Sequence, residues 1–125
     1  MRYGRWAAPV ADLQTRYTRP QENGARGGVE RVEIRAGTRT LTAQVIAAEL
    51  GGRDVGGMTM AVRPWSDAAL EAAAHPHELV PDHLWVHLDA AHHGLGSASC
   101  GEGVQPEHAL HPAPVRLHLR FHTRR

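Results

Sequence analysis

Lysine is missing from this sequence, and all 14 basic residues are arginine. Against 13 acidic residues they leave a formal net charge of +1, which excludes a nucleic-acid binder running on bulk positive charge. Cysteine occurs once, at Cys100, so neither an internal disulfide framework nor a cysteine-rich zinc site can form. Isoleucine occurs only at Ile34 and Ile46 while alanine is abundant, a genome composition bias more than a functional choice. The aromatics are few: Tyr3, Trp6, Tyr17, Trp65, Trp85 and Phe121. No apolar run approaches the ~20 residues that span a bilayer. Residues 1–10 carry Arg2 and Arg5 but no apolar core of a secretory leader. Together these absences predict a cytoplasmic protein with neither a membrane nor a nucleic acid as partner.

What is present is enough for one domain or part of one: 125 residues, 42% of them apolar. A (β/α)₈ enzyme barrel needs ~250 residues and is excluded. Between frequent glycines and prolines the apolar period is two, the signature of half-buried strands. Residues 29–34 read as one strand edged by Gly27-Gly28. In residues 38–50, Leu41, Ala43 and Val45 alternate with Thr40, Thr42 and Gln44. After Gly56-Gly57, the residues Met58, Met60 and Val62 share a face. Leu84, Val86 and Leu88 alternate with Trp85, His87 and Asp89. Val115, Leu117, Leu119 and Phe121 alternate with Arg116, His118 and Arg120, the clearest such pattern in the chain. One helix is predicted over residues 66–74, capped by Ser66 or Asp67 and stopped where His75 precedes Pro76. Residues 111–114 read as a turn. The expected fold is all-β, an antiparallel β-sandwich with one short helix.

Three segments carry chemistry of interest. The ten histidines include the pairs His75/His77 and His92/His93, which a metal site would use, but no acidic or thiolate cluster completes them at ligand spacing. Surface histidines on loops and wet strand faces are the plainer reading, and no metal ligand is assigned. The glycine-rich residues 94–101 contain Cys100. A nucleophilic thiol or a phosphate cradle there lacks, respectively, a positioned base and a following helix. A tight surface excursion that lets backbone approach a ligand is expected instead. In residues 17–26, Arg19 precedes Pro20, Asn23-Gly24 makes a turn, and Glu22 lies between Arg19 and Arg26. A capped turn with one ion pair and a polar loop packed against another domain fit this segment equally.

These same residues carry a family resemblance. Arg19-Pro20-Gln21-Glu22-Asn23-Gly24 with Arg26, then Arg63-Pro64-Trp65-Ser66, His75-Pro76-His77-Glu78-Leu79, Leu88-Asp89 and the stretch from Gly94 to Gly101 resemble, in order, the C-terminal domain (small chain) of glycoside hydrolase family 2 β-galactosidases. The family domain is about twice as long. The resemblance therefore implies that residues 1–125 are a partial domain, the C-terminal half of a galactose-mutarotase-like super-sandwich. It implies a role in hydrolysing terminal β-D-galactosides such as lactose, by packing on the catalytic barrel (the large chain) and shaping the aglycone side of its pocket.

In that family one glutamate is acid/base and another is nucleophile, ~5 Å apart as retention requires. Both, with the magnesium and sodium sites, belong to the barrel and neighbouring segments, so no catalytic residue and no cofactor map onto this chain. Many members carry Gly-Asp-Asp-Ser-Trp in the last loop, where the tryptophan contacts sugar. Here Ala98-Ser99-Cys100-Gly101 stands in its place. The resemblance thus implies substrate-side positions at Ser99, Cys100 and Gly101, and a domain-interface loop at Arg19, Glu22, Asn23 and Arg26. The alternative function is a free-standing carbohydrate-binding module, for which Trp85 is the single aromatic on a predicted wet strand face. A half-sandwich is also expected to expose strand edges and an apolar face, and so to be poorly soluble alone.

Overall fold

The computed structural model describes residues 4–14, 24–93 and 103–125. Its elements are β1 (Arg26–Val29), β2 (Arg31–Ala36), β3 (Arg39–Leu50), β4 (Arg53–Asp54), β5 (Met58–Arg63), the helix α1 (Asp67–Ala72), β6 (Trp85–Asp89) and β7 (Val115–Arg124), with three short 3₁₀ turns. Every strand pair is antiparallel. The chain is all-β with one short helix, the class its apolar alternation predicts.

The strands form two sheets. In the first, the order is β1-β5-β6. In the second, β3 is central, with β2 and the short β4 along one side and β7 along the other. The predicted single strand over residues 29–34 is corrected: the chain breaks at Glu30, leaving β1 in the first sheet and β2 in the second. Gly28, at φ 68°, lies where the β1–β5 register shifts between Arg26 and Val29. Only a residue without Cβ adopts that backbone cheaply, so the Gly27-Gly28 pair makes a bulge inside β1 and does not mark a strand end.

The long β3–β7 pairing shows why its sequence alternates. Leu41, Ala43 and Val45 lie opposite Thr123, Phe121 and Leu119. A register shift then falls between Val45 and Ala47, after which Ala48 and Leu50 oppose Leu117 and Val115. The extra residue changes the inward phase from odd to even numbers, so one apolar face continues along the whole strand. The other face is polar throughout β7: Arg116, His118, Arg120, His122 and Arg124.

In the first sheet, Met60 opposes Leu88 and Val62 opposes Val86 on one face, while Thr59, Ala61 and Arg63 oppose Asp89, His87 and Trp85 on the other. Leu84 and Val86 line a cleft of about 520 Å³ with Ile34, Leu41, Arg39 and Arg124, so the inner face of the first sheet looks toward the second. Strand β5 is buried on both sides: Met58 and Ala61 are 1% exposed, Val62 and Arg63 buried. The sequence shows only one apolar face there because arginine occupies part of the other.

α1 begins as predicted. The Ser66 hydroxyl accepts the Ala69 N–H at 3.1 Å and caps the helix. Leu70 and Ala73 are buried on its inner side. Two glycines elsewhere are fixed by contact. A Cβ at Gly57 (φ +127°) would meet Gly28 and Val29 backbone at about 3 Å. One at Gly24 (φ +79°) would stand 2.3 Å from the Leu13 carbonyl oxygen.

Candidate functional site

The outer face of the first sheet holds Arg63 and His87, two polar side chains largely withdrawn from water. Arg63 ends β5 with its side chain only 10% exposed, and it would be an uncompensated buried cation without a partner. Asp67, four residues on at the start of α1, supplies it: Arg63 Nη1 donates to Asp67 Oδ1. The second oxygen of the same carboxylate lies 3.5 Å from Nδ1 of His87, which register brings in beside Ala61. One carboxylate therefore joins β5, β6 and α1. Arg63 Nε, His87 Nε2, Trp65 Nε1 and Gln14 Oε1 are buried without a hydrogen-bond partner among the described residues. Gln14 Nε2 meanwhile donates to the Val62 carbonyl at 2.7 Å and to that of Val10 at 3.0 Å, tying the N-terminal segment to β5.

Further along, His92 Nε2 lies 2.9 Å from Asp89 Oδ2, and His93 Nδ1 accepts the Leu110 N–H at 3.0 Å. The rings of His75 and His77 stack at 5.5 Å. Glu78 accepts the N–H groups of Ala74 (2.8 Å) and His75, chiefly the first, which hold its carboxyl below the usual range. Asp82 is likewise held down, first by the Trp85 indole N–H at 2.9 Å and then by the His83 N–H. The four histidines a metal site would recruit are thus spread over separate local contacts. Among the described residues no group of three or more His, Cys, Asp or Glu is placed to hold a metal ion.

Of the positions singled out in the sequence, Arg26 is described: it opens β1 opposite Met60, is exposed, and its Nη1 donates to the Ala25 carbonyl at 3.0 Å. Arg19, Glu22, Asn23, Ser99, Cys100 and Gly101 lie outside the described residues. Trp85 is 40% exposed, on the outer face as its alternation predicts. His87 departs from the surface reading: its side chain is 23% exposed and faces Asp67. The Arg63/Asp67/His87 group went unnoticed in the sequence. Its only local signal is the four-residue spacing of Arg63 and Asp67, and His87 joins through sheet register, which spacing does not reveal.

Hollows with room for a small molecule among the described residues include the inter-sheet cleft and one of about 320 Å³ lined by Leu50, Leu110 and Val115. Among the described residues, the side chains that line them include no aspartate or glutamate. No helix among the described residues is long and apolar enough to cross a membrane.

A family profile described as "Beta galactosidase small chain" matches residues 1–122. The chain is 40% identical over 120 residues to a β-galactosidase of Arthrobacter sp. (strain B7), covering 94% of this chain and 11% of that protein. It is 33% identical over 109 residues to a β-galactosidase of Vibrio cholerae, covering 86% of this chain and 9% of the relative. "Beta-galactosidase 2" of Enterobacter cloacae is 33% identical over 116 residues. The chain therefore spans about a tenth of the length of these curated relatives, and it belongs to the β-galactosidase small-chain family.

Proposed function

From that membership we propose that the chain works as the C-terminal sandwich portion of a cytoplasmic β-galactosidase hydrolysing terminal β-D-galactosides such as lactose. It packs on the catalytic barrel and shapes the aglycone side of the barrel's pocket. The observation that carries this is the match itself, continuous over residues 1–122 yet confined to about a tenth of each relative.

In this reading Ser99, Cys100 and Gly101 approach the aglycone, and Arg19, Glu22, Asn23 and Arg26 face a neighbouring domain. Arg26 supports the second assignment through its exposure at the start of β1. Magnesium and sodium act, in this proposal, at barrel sites, and no residue here is offered as their ligand. The remainder of the larger protein is the partner.

Complementation is the test. A β-galactosidase lacking the segment that this chain matches is mixed with the chain. Restored nitrophenyl-galactoside turnover, with Cys100→Trp altering KM for bulky aglycones more than kcat, is expected. No restoration, together with millimolar galactoside binding by the chain alone, would instead establish a free-standing carbohydrate-binding module.

A further inference from the structure

β7 has three properties that together define a docking edge. The first is a free edge: its 10 residues pair with β3 along one side, and no strand lies along the other among the described residues. An unpaired strand edge presents alternating N–H and C=O groups ready to accept another strand.

The second is an open apolar face. Val115 is 59% and Phe121 57% exposed, while Leu117 and Leu119 between them are only partly covered.

The third is charge. Cross-strand register aligns Arg31, Gln44 and Arg120 in one row of the polar face, Glu33, Thr42 and His122 in the next, and Arg35, Thr40 and Arg124 in a third. Glu33 is the sole acid in these rows. Arg35 binds it through Nε (2.8 Å) and Nη2 (2.6 Å), with Arg31 at 3.7 Å. Its carboxyl is held below the usual range, first by that Arg35 hydrogen bond, with the charge of Arg124 contributing from β7. One carboxylate is thus shared by several guanidinium groups, and Arg120 has no ion-pair partner among the described residues. In a chain whose formal net charge is only +1, this is a marked segregation of charge. Arg116 has Glu49 at 3.4 Å, so the excess lies toward the C-terminal end of the strand.

We infer that the free edge of β7 receives an extended protein segment from outside this chain, one that alternates carboxylate and apolar side chains. Added as a neighbouring strand, such a segment places its acids beside Arg120 and Arg124 and its apolar residues beside Leu119 and Phe121. The backbone edge supplies affinity and the arginine row supplies selectivity. A nucleic acid satisfies the charge but leaves the apolar face and the strand edge unused. A second copy of β7 would bring arginine against arginine.

The test is fluorescence anisotropy of the full chain with a labelled decapeptide alternating glutamate and valine. Saturable binding that weakens as salt rises is expected. Arg120→Glu with Arg124→Glu should weaken it by about tenfold or more, since each exchange replaces an attractive cross-strand pair with a repulsive one. Arg120→Gln with Arg124→Gln removes the charge without adding repulsion and should weaken it less, with the circular dichroism unchanged. Equal binding of the corresponding lysine–valine peptide would overturn the proposal, as would indifference to all four substitutions. So would tighter capture by heparin than by the peptide, or a dimer through β7 that the peptide does not displace.

Discussion

Met58 is enclosed in this fold and Phe121 largely open, and truncating each to alanine measures the difference. Met58 is 1% exposed, the largest side chain fully enclosed. Met58→Ala removes both its transfer free energy and the packing around it, a loss of about 2–5 kcal/mol. Phe121 is the larger side chain, and a fully buried phenylalanine costs about 3–5 kcal/mol on truncation. At 57% exposure less than half of its surface is withdrawn from water. Scaling by that fraction leaves roughly 1–2 kcal/mol for Phe121→Ala. Urea unfolding of dilute chain, followed by tryptophan fluorescence, reads both. With a slope of about 1–3 kcal/mol/M for a small protein, Met58→Ala should lower the midpoint by about 1–2 M and Phe121→Ala by clearly less. Equal shifts would refute the reasoning, because they require the apolar face of β7 to be as enclosed as the centre of the first sheet.

Asp67→Ala strips the counter-charge from the nine-tenths buried Arg63 while Asp67 itself is 64% exposed; between the limits for surface and buried pairs, a loss of about 1–3 kcal/mol is expected, against near zero for Glu71→Ala on the same helix. Ser66→Ala should cost about 1 kcal/mol through the lost cap, measured in the same titration. Gly24→Ala meets a left-handed backbone and a carbonyl at 2.3 Å, so a loss above about 2 kcal/mol is predicted, and a neutral result would contradict the Leu13–Gly24 contact. The carboxyls of Glu33, Glu78 and Asp82 are more acidic in the fold than their ordinary values of 4.5, 4.5 and 3.8. Each binds fewer protons folded than unfolded in the window below those values. Their stabilisation is therefore complete above them and fades as pH falls through the lowered ones. Asp82→Asn should flatten part of that acid limb, and an identical limb in the variant would show that the Trp85 contact does not form.

The sequence reveals most where one physical cause dominates. β7 was legible because one of its faces is wet, so every second residue had to be polar. The start of α1 was legible because serine before an alanine-rich run is a capping arrangement. The break at Glu30 was not: Val29 and Val32 stand three residues apart, a slip of phase too short to tell a change of sheet from an irregularity within one strand. The phase change in β3 was hidden for a similar reason: Val45, Ile46, Ala47 and Ala48 are all apolar and carry no mark of which residue is extra. On β5 the buried Arg63 reads as a surface charge until Asp67 and His87 are seen beside it. The ordered motifs pointed to the family because they recur across the whole length, where no single one of them would have sufficed.

In the division of labour we propose, this chain contributes surface while the bond-breaking carboxylates lie in the remainder of a larger β-galactosidase. The purified chain incubated with nitrophenyl-galactoside reads that division most directly. Release of nitrophenol indistinguishable from buffer is the predicted result, and turnover that follows the chain through purification and saturates with substrate would contradict it.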